Sequence, residues 1–229
     1  MRTVGIIGGL GPETTADFYL EVVFSFFDKN KQNRPQMLMW NVPIPNQIEE
    51  DFITKGEGAE RYLPFLVDAA RRLEKGGADF IVIPCNSVHI FIEEVRKSVS
   101  IPVLSIIDET VEFLKEKGIK EVGILSTSAT IRQKLYDDKL KNNGISIQIP
   151  NNEEQSRVTS VINNLLHTRN DEKDKQEILK IINNMASGGL KTIILACTDL
   201  QVIVPKHELV QIYDTMAILA EATVGELLK

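Results

Sequence analysis

Only two cysteines, one tryptophan and three histidines occur in this chain of 229 residues. Two cysteines cannot build the disulfide framework of a small secreted scaffold, so a reducing, cytoplasmic setting is expected. His89, His167 and His207 show no ligand spacing, and a Cys85/His89 pair supplies too few donors for a metal site, so no metal is expected. Excess positive charge is also missing: 26 Lys and Arg against 32 Asp and Glu give a net charge of −6. That balance is the reverse of the basic face a nucleic-acid binder carries. Uncharged apolar runs stop at strand length, which excludes a helical membrane span. The chain passes from Met1-Arg2-Thr3 straight into a strand pattern, with no leader-like segment, and a leaderless protein is the expectation.

What is present is ordinary globular material, 43% hydrophobic and 25% charged. A chain of this length buries roughly 70% of its unfolded surface and needs no staple. Its most informative stretch is Gly76 to His89, GGADFIVIPCNSVH. An apolar run bounded by glycine and proline reads as a strand buried on both faces, as in parallel α/β sheets. Cys85, Asn86 and Ser87 then stand at the strand's carboxyl end, where ligands bind in open α/β sheets and where helix N–H groups favour a thiolate.

The chain writes this pattern twice. GGLKTIILACTDL, Gly188 to Leu200, repeats it with Gly188, Gly189 and Cys197 each 112 residues after Gly76, Gly77 and Cys85. A weaker echo pairs Val4-Gly5-Ile6-Ile7 with Val122-Gly123-Ile124-Leu125, each followed by small and hydroxyl residues, Gly8 to Thr15 in one case and Ser126 to Thr130 in the other. The order of features reads as two copies of one α/β unit.

Between these landmarks the pattern predicts helices at 14–27, 61–75, 87–99, 158–166 and 174–185, and strands at 36–41, 103–107, 145–149 and 210–213. Residues 41–50, with two prolines, read as an extended loop, and 43–58 as a lid. Residues 150–157 read as a polar connection. Asp108 and Asp214 are expected to cap the helices that follow them. The last helix is expected to cross back, giving a discontinuous first domain, 1–103 plus 209–229, and a second domain, 104–208.

A pseudo-two-fold axis between the units would place Cys85 and Cys197 on opposite sides of one cleft. Two acid/base groups facing each other across a carbon can remove a proton from one face and return one to the other, inverting the centre. Hydroxyls of Ser87, Thr127, Thr130 and Thr198 and N–H groups at helix starts suit the developing enolate oxygen, and Asn86 suits the amine or carboxylate. Other readings stand beside this one. Either cysteine alone fits a buried structural thiol, and the pair fits a disulfide. His89 either tunes the Cys85 thiolate or packs. Cys-His hydrolysis leaves Cys197 unexplained. The Gly-rich loop fits a dinucleotide turn poorly, lacking the third glycine and the ribose-binding acid. Thr127 and Thr130 also fit plain helix caps. A non-catalytic small-anion binder gives no reason for two cysteines.

Gly8 to Thr15, Pro84-Cys85-Asn86-Ser87-Val88-His89 and Ala196-Cys197-Thr198-Asp199 resemble the three signature stretches of the aspartate/glutamate racemase superfamily, closest to its aspartate branch. The resemblance runs from end to end. It implies two Rossmann-like domains with parallel sheets and the site in the cleft between them, no cofactor, a small amino-acid substrate, and a homodimer. By position, Cys85 and Cys197 would be the acid/base pair. Gly9, Leu10, Asn86, Ser87, Thr127, Thr130 and Thr198 would surround the substrate. The branch has basic residues where this chain reads Gln47 and, in a loosely matched region, His167; these are weaker anion partners. Aspartate is the default substrate. Glutamate, another amino acid, or dicarboxylate isomerisation or decarboxylation are the alternatives.

Overall fold

In the computed structural model, residues 1–52 and 56–229 are described. The first half contributes strands β1 (Thr3–Gly8), β2 (Gln36–Asn41) and β3 (Phe80–Val82), all parallel in the order β2-β1-β3. Val103 adds a single parallel bridge to Ile81 on the outer side of β3. The second half contributes β4 (Glu121–Leu125), β5 (Ser146–Gln148), β6 (Thr192–Leu195) and β7 (Gln211–Asp214), parallel in the order β5-β4-β6-β7. The two sheets share one plan, with the Val103 bridge standing where β7 stands in the other. Each cysteine follows the strand beside its unit's first strand.

The copying extends to packing. A β-carbon added to Gly5 would lie 3.0 Å from Ala78 and 3.1 Å from Leu73; one added to Gly123 would lie 2.5 Å from Leu190 and 2.8 Å from Met185. Leu73 and Ala78 sit 112 positions before Met185 and Leu190, so the same contact is made in both units. Gly77 (φ 94°) and Gly189 (φ 101°) end the preceding helices in the same left-handed turn, a conformation glycine adopts without strain.

Ten α-helices cover the sheets. They are α1 (Pro12–Lys29), α2 (Asn46–Glu50), α3 (Leu63–Lys75), α4 (Ile92–Ser98), α5 (Ile106–Glu116), α6 (Ser128–Arg132), α7 (Asp137–Asn142), α8 (Asn152–Leu166), α9 (Glu172–Ser187) and α10 (Thr215–Leu227). Helices α3 and α4 pack together outside the first sheet and α8 and α9 outside the second. Between the sheets lies a shared core. Val4, Ile6, Phe18 and Phe26 of the first half join Val122, Ile124, Tyr136, Leu219 and Leu227 of the second. Helix α10 packs on α1, and α5 packs on α10 and α7, so each unit's last helix crosses toward the other. No described helix is long and apolar enough to cross a membrane.

Several local expectations need correction. Within 209–229 only α10 returns to the first half, because β7 hydrogen-bonds to β6 in the second sheet. The strand expected at 103–107 shrinks to the Val103 bridge, since Ser105 caps α5 through the N–H groups of Ile107 and Asp108. Asp108 therefore sits inside the first turn of α5, paired with Arg96 and Lys139, while Asp214 does cap α10. The helix expected at 87–99 opens as a 3-10 turn, Ser87–Phe91, before α4. The polar stretch at 150–157 is largely the start of α8, fixed by reciprocal capping between Asn151 and Glu154. The loop expected at 41–50 contains α2. The lid expected at 43–58 includes residues 53–55, which lie outside the described residues.

Candidate active site

The first unit builds its side of the site from the end of β3. Past Pro84, Cys85 turns its N–H back to the Ile83 carbonyl at 2.8 Å, and the 3-10 turn aims the N–H groups of Ser87 and Val88 at the Cys85 sulfur. His89 is buried one turn later. Its Nδ1 lies 2.7 Å from the Cys85 carbonyl and its Nε2 accepts the Ile106 N–H at 3.1 Å. The ring thus ties the Cys85 backbone to the start of α5, which resolves the two readings of His89 in favour of packing.

Hydroxyl groups join the two units behind the thiols. Ser87 Oγ lies 3.0 Å from Thr127 Oγ1 and 3.3 Å from Thr130 Oγ1, and the two threonines are 3.1 Å apart. Thr127 also caps α6 by accepting the Thr130 N–H. Asn86 is held from both sides, its Oδ1 accepting from Tyr136 Oη at 2.6 Å and its Nδ2 donating to Thr215 Oγ1 at 3.1 Å. Since Tyr136 and Thr215 belong to the second unit, this buried amide is a strut across the interface.

The second unit presents Cys197 after β6, at the start of the 3-10 turn Thr198–Val202. Here the duplication breaks. Two residues after Cys85 comes the hydroxyl of Ser87; two residues after Cys197 comes the carboxylate of Asp199, whose Oδ2 accepts from the Cys197 thiol at 3.6 Å. Both cysteines are free, Cys85 partly buried and Cys197 buried, so the disulfide reading does not describe this structure.

Both sulfurs line one cavity, with Leu10, Asn86, Ser87, Thr127 and Thr198 from the expected set. It encloses only about 20 Å³, room for roughly one water. An amino acid therefore requires the cleft to open. Four expected residues do not line it. Gly9 spends its N–H on Thr15 Oγ1, and Gly11 takes its place in the lining. Thr130 stands behind Ser87 and Thr127. Gln47 is exposed on α2 and donates to Asp51 at 2.9 Å. His167 is exposed, its Nδ1 turned to the Asn163 carbonyl at 2.8 Å. Residues that sequence reasoning did not assign complete the lining, chiefly Glu49, Tyr62, Ile162, Leu166 and Asp199. For Asp199 the signal was available in its position two residues after the second cysteine.

The sequence pattern of the Asp/Glu/Hydantoin racemase family matches residues 7–223. The chain belongs to that family. The broad specificity amino-acid racemase RacX of Bacillus subtilis is 30% identical, the match covering 97% of this chain and 96% of RacX. A solved structure of a putative Asp/Glu racemase from Yersinia pestis aligns over the full length of both chains at 26% identity with a TM-score of 0.87. The aspartate racemase of Picrophilus torridus aligns over 100% of this chain and 95% of its own at 28% identity with a TM-score of 0.85. The protein is accordingly a racemase, an isomerase by class, with the α/β fold of parallel sheets seen in its relatives.

In this racemase the site holds its thiols protonated. Burial pushes the Cys85 thiol up to about 12, helped by Asp199 and Glu49 and opposed by the N–H groups of Val88 and Ser87. Cys197 is driven well above its ordinary value, first by burial and then by Asp199. Asp199 is itself raised to about 6 by burial, although the Cys197 thiol favours its charged form. Glu49 is raised by burial and by Asp199, with His167 acting in the opposite sense. An acidic, poorly hydrated cleft disfavours a thiolate until a cation enters it.

Proposed function

We propose that this racemase inverts the α-carbon of a free amino acid by two-base proton transfer between Cys85 and Cys197, without a cofactor. The observation that supports the reading is that the chain's only two cysteines, at equivalent strand ends of a duplicated unit, line one small cavity. In one direction a Cys85 thiolate takes the α-proton and the Cys197 thiol delivers its own proton to the opposite face, leaving Cys85 as thiol and Cys197 as thiolate. The reverse direction exchanges the roles. The α-ammonium of the entering substrate offsets the anions that hold the thiols up, so binding itself favours the thiolate. Charge developing on the α-carboxylate is met by the Ser87, Thr127 and Thr198 hydroxyls.

Proton NMR in D2O tests this directly, by following loss of the α-proton signal from single L- and D-amino acids. Wild-type protein is expected to exchange both enantiomers of a substrate. Cys85→Ser and Cys197→Ser are each expected to lower racemisation by at least about 10²-fold, the scale of losing one positioned acid/base group. Racemisation surviving either change at the wild-type rate would refute the two-base mechanism. Because both thiols are raised, kcat/KM is expected to climb as pH rises from 7 to 9.

Aspartate is the substrate to which the resemblance and the Picrophilus relative point. A homodimer in the cytoplasm is the state we propose for the protein, with the exposed stripe Leu20, Phe24 and Phe27 on α1 as its contact with a second copy.

A further inference from the structure

Resting on the racemase reading above, we propose that the side-chain part of the cavity takes an amino acid whose side chain ends in a cation on an aliphatic stem, such as ornithine or lysine, rather than a carboxylate. None of the described residues lining the cavity is basic, and two, Glu49 and Asp199, are acidic. Glu49 comes from α2 and Asp199 from the turn after β6, so the acids approach from different units. Asp199 is engaged by the Cys197 thiol. Glu49 has no hydrogen bond or ion pair among the described residues. It is left to meet whatever the substrate brings.

The cations that would answer a second carboxylate are placed elsewhere. Gln47 is neutral and tied to Asp51. Arg61, next to cavity-lining Tyr62 in sequence, donates to Asp51 Oδ2 at 2.8 Å and to the Gly58 carbonyl. His167 is near enough for its charge to reach Glu49, but its ring is exposed and turned to the Asn163 carbonyl. A side-chain carboxylate would enter beside two acids with no facing cation, a like-charge arrangement. An ammonium would meet Glu49, while Leu10, Ile162 and Leu166 offer apolar surface to the methylenes behind it. Burial and Asp199 already hold Glu49 up, so an arriving cation gains by restoring its charge.

The test compares L-ornithine, L-lysine, L-homoserine and L-aspartate by α-proton exchange in D2O, with wild-type protein and with Glu49→Gln and Glu49→Arg. The expected result is a kcat/KM for ornithine or lysine at least tenfold above that for aspartate. In Glu49→Gln the ornithine-to-homoserine ratio should fall at least tenfold, the loss of one charged hydrogen bond. Glu49→Arg should move the preference toward aspartate. Exchange of aspartate in preference to ornithine, or an ornithine-to-homoserine ratio untouched by Glu49→Gln, overturns the inference and leaves the racemase reading standing. Exchange with none of the four removes the racemase reading for these substrates. Calorimetric binding of ornithine then decides the subsite: affinity that drops tenfold in Glu49→Gln retains the inference, and no binding or unchanged binding overturns it.

Discussion

At the scale of single residues, three buried titratable groups set opposing pH slopes. Asp199 and Asp214 are each raised to about 6 by burial, so the folded state binds a proton that the unfolded state has released, and stability falls as pH rises from about 4 to about 6. His89 is lowered to about 4 by burial. Its contribution is fully present above the unfolded value of about 6.5 and is lost as pH falls toward 4. Asp199→Asn is therefore expected to raise unfolding stability at pH 7 by about 1–3 kcal/mol, with little gain at pH 4, in denaturant titrations. The same variant should lower activity, because Asp199 accepts from Cys197. His89→Ala leaves the Ile106 N–H and the Cys85 carbonyl without their partner and should cost about 1–3 kcal/mol beyond the lost packing. The cysteines were legible because their whole context is repeated. Glu49 was not, because nothing in Asn-Gln-Ile-Glu-Glu distinguishes a cavity-facing acid from a solvated one until α2 sets which residue faces inward.

At the scale of elements, the repeated glycine in each unit's first strand sets how closely the preceding turn and helix pack on it. Gly123→Ala would press a methyl group against Leu190 and Met185, tighter than Gly5→Ala against Leu73 and Ala78. Thermal unfolding should show both variants destabilised by about 1–3 kcal/mol, Gly123→Ala the more so. Strands and outer helices could be read from sequence because fully apolar runs and 3.6-residue stripes carry their own signal. The failures fall where capping decides the outcome. Asn151 with Glu154 starts α8 inside a stretch that looks like a polar loop, and Ser105 starts α5 where Ile106 and Ile107 look like strand. Two prolines hid α2, since Pro45 immediately precedes its first turn and is compatible with helix starting there.

At the scale of the molecule, the shared core makes the two units one thermodynamic body. Probes placed in each half, such as Trp40 fluorescence and amide exchange on α9, should report a single coincident unfolding transition. Two separate transitions would show that the units are independent. Phe24→Glu should convert the proposed dimer to monomer in sedimentation, with the fold retained. Sequence repetition revealed that there are two units but not where they divide, because an apolar helix such as α10 does not say which surface it will cover. That crossing imposes an order on biosynthesis. Until residues 215–227 have left the ribosome, Phe18, Val22 and Phe26 on α1 lack the layer that buries them, so the first half to be made is among the last to be finished. A nascent chain halted near Tyr213 would hold a complete set of strands, both cysteines and an uncovered apolar seam, the kind of intermediate that a chaperone retains.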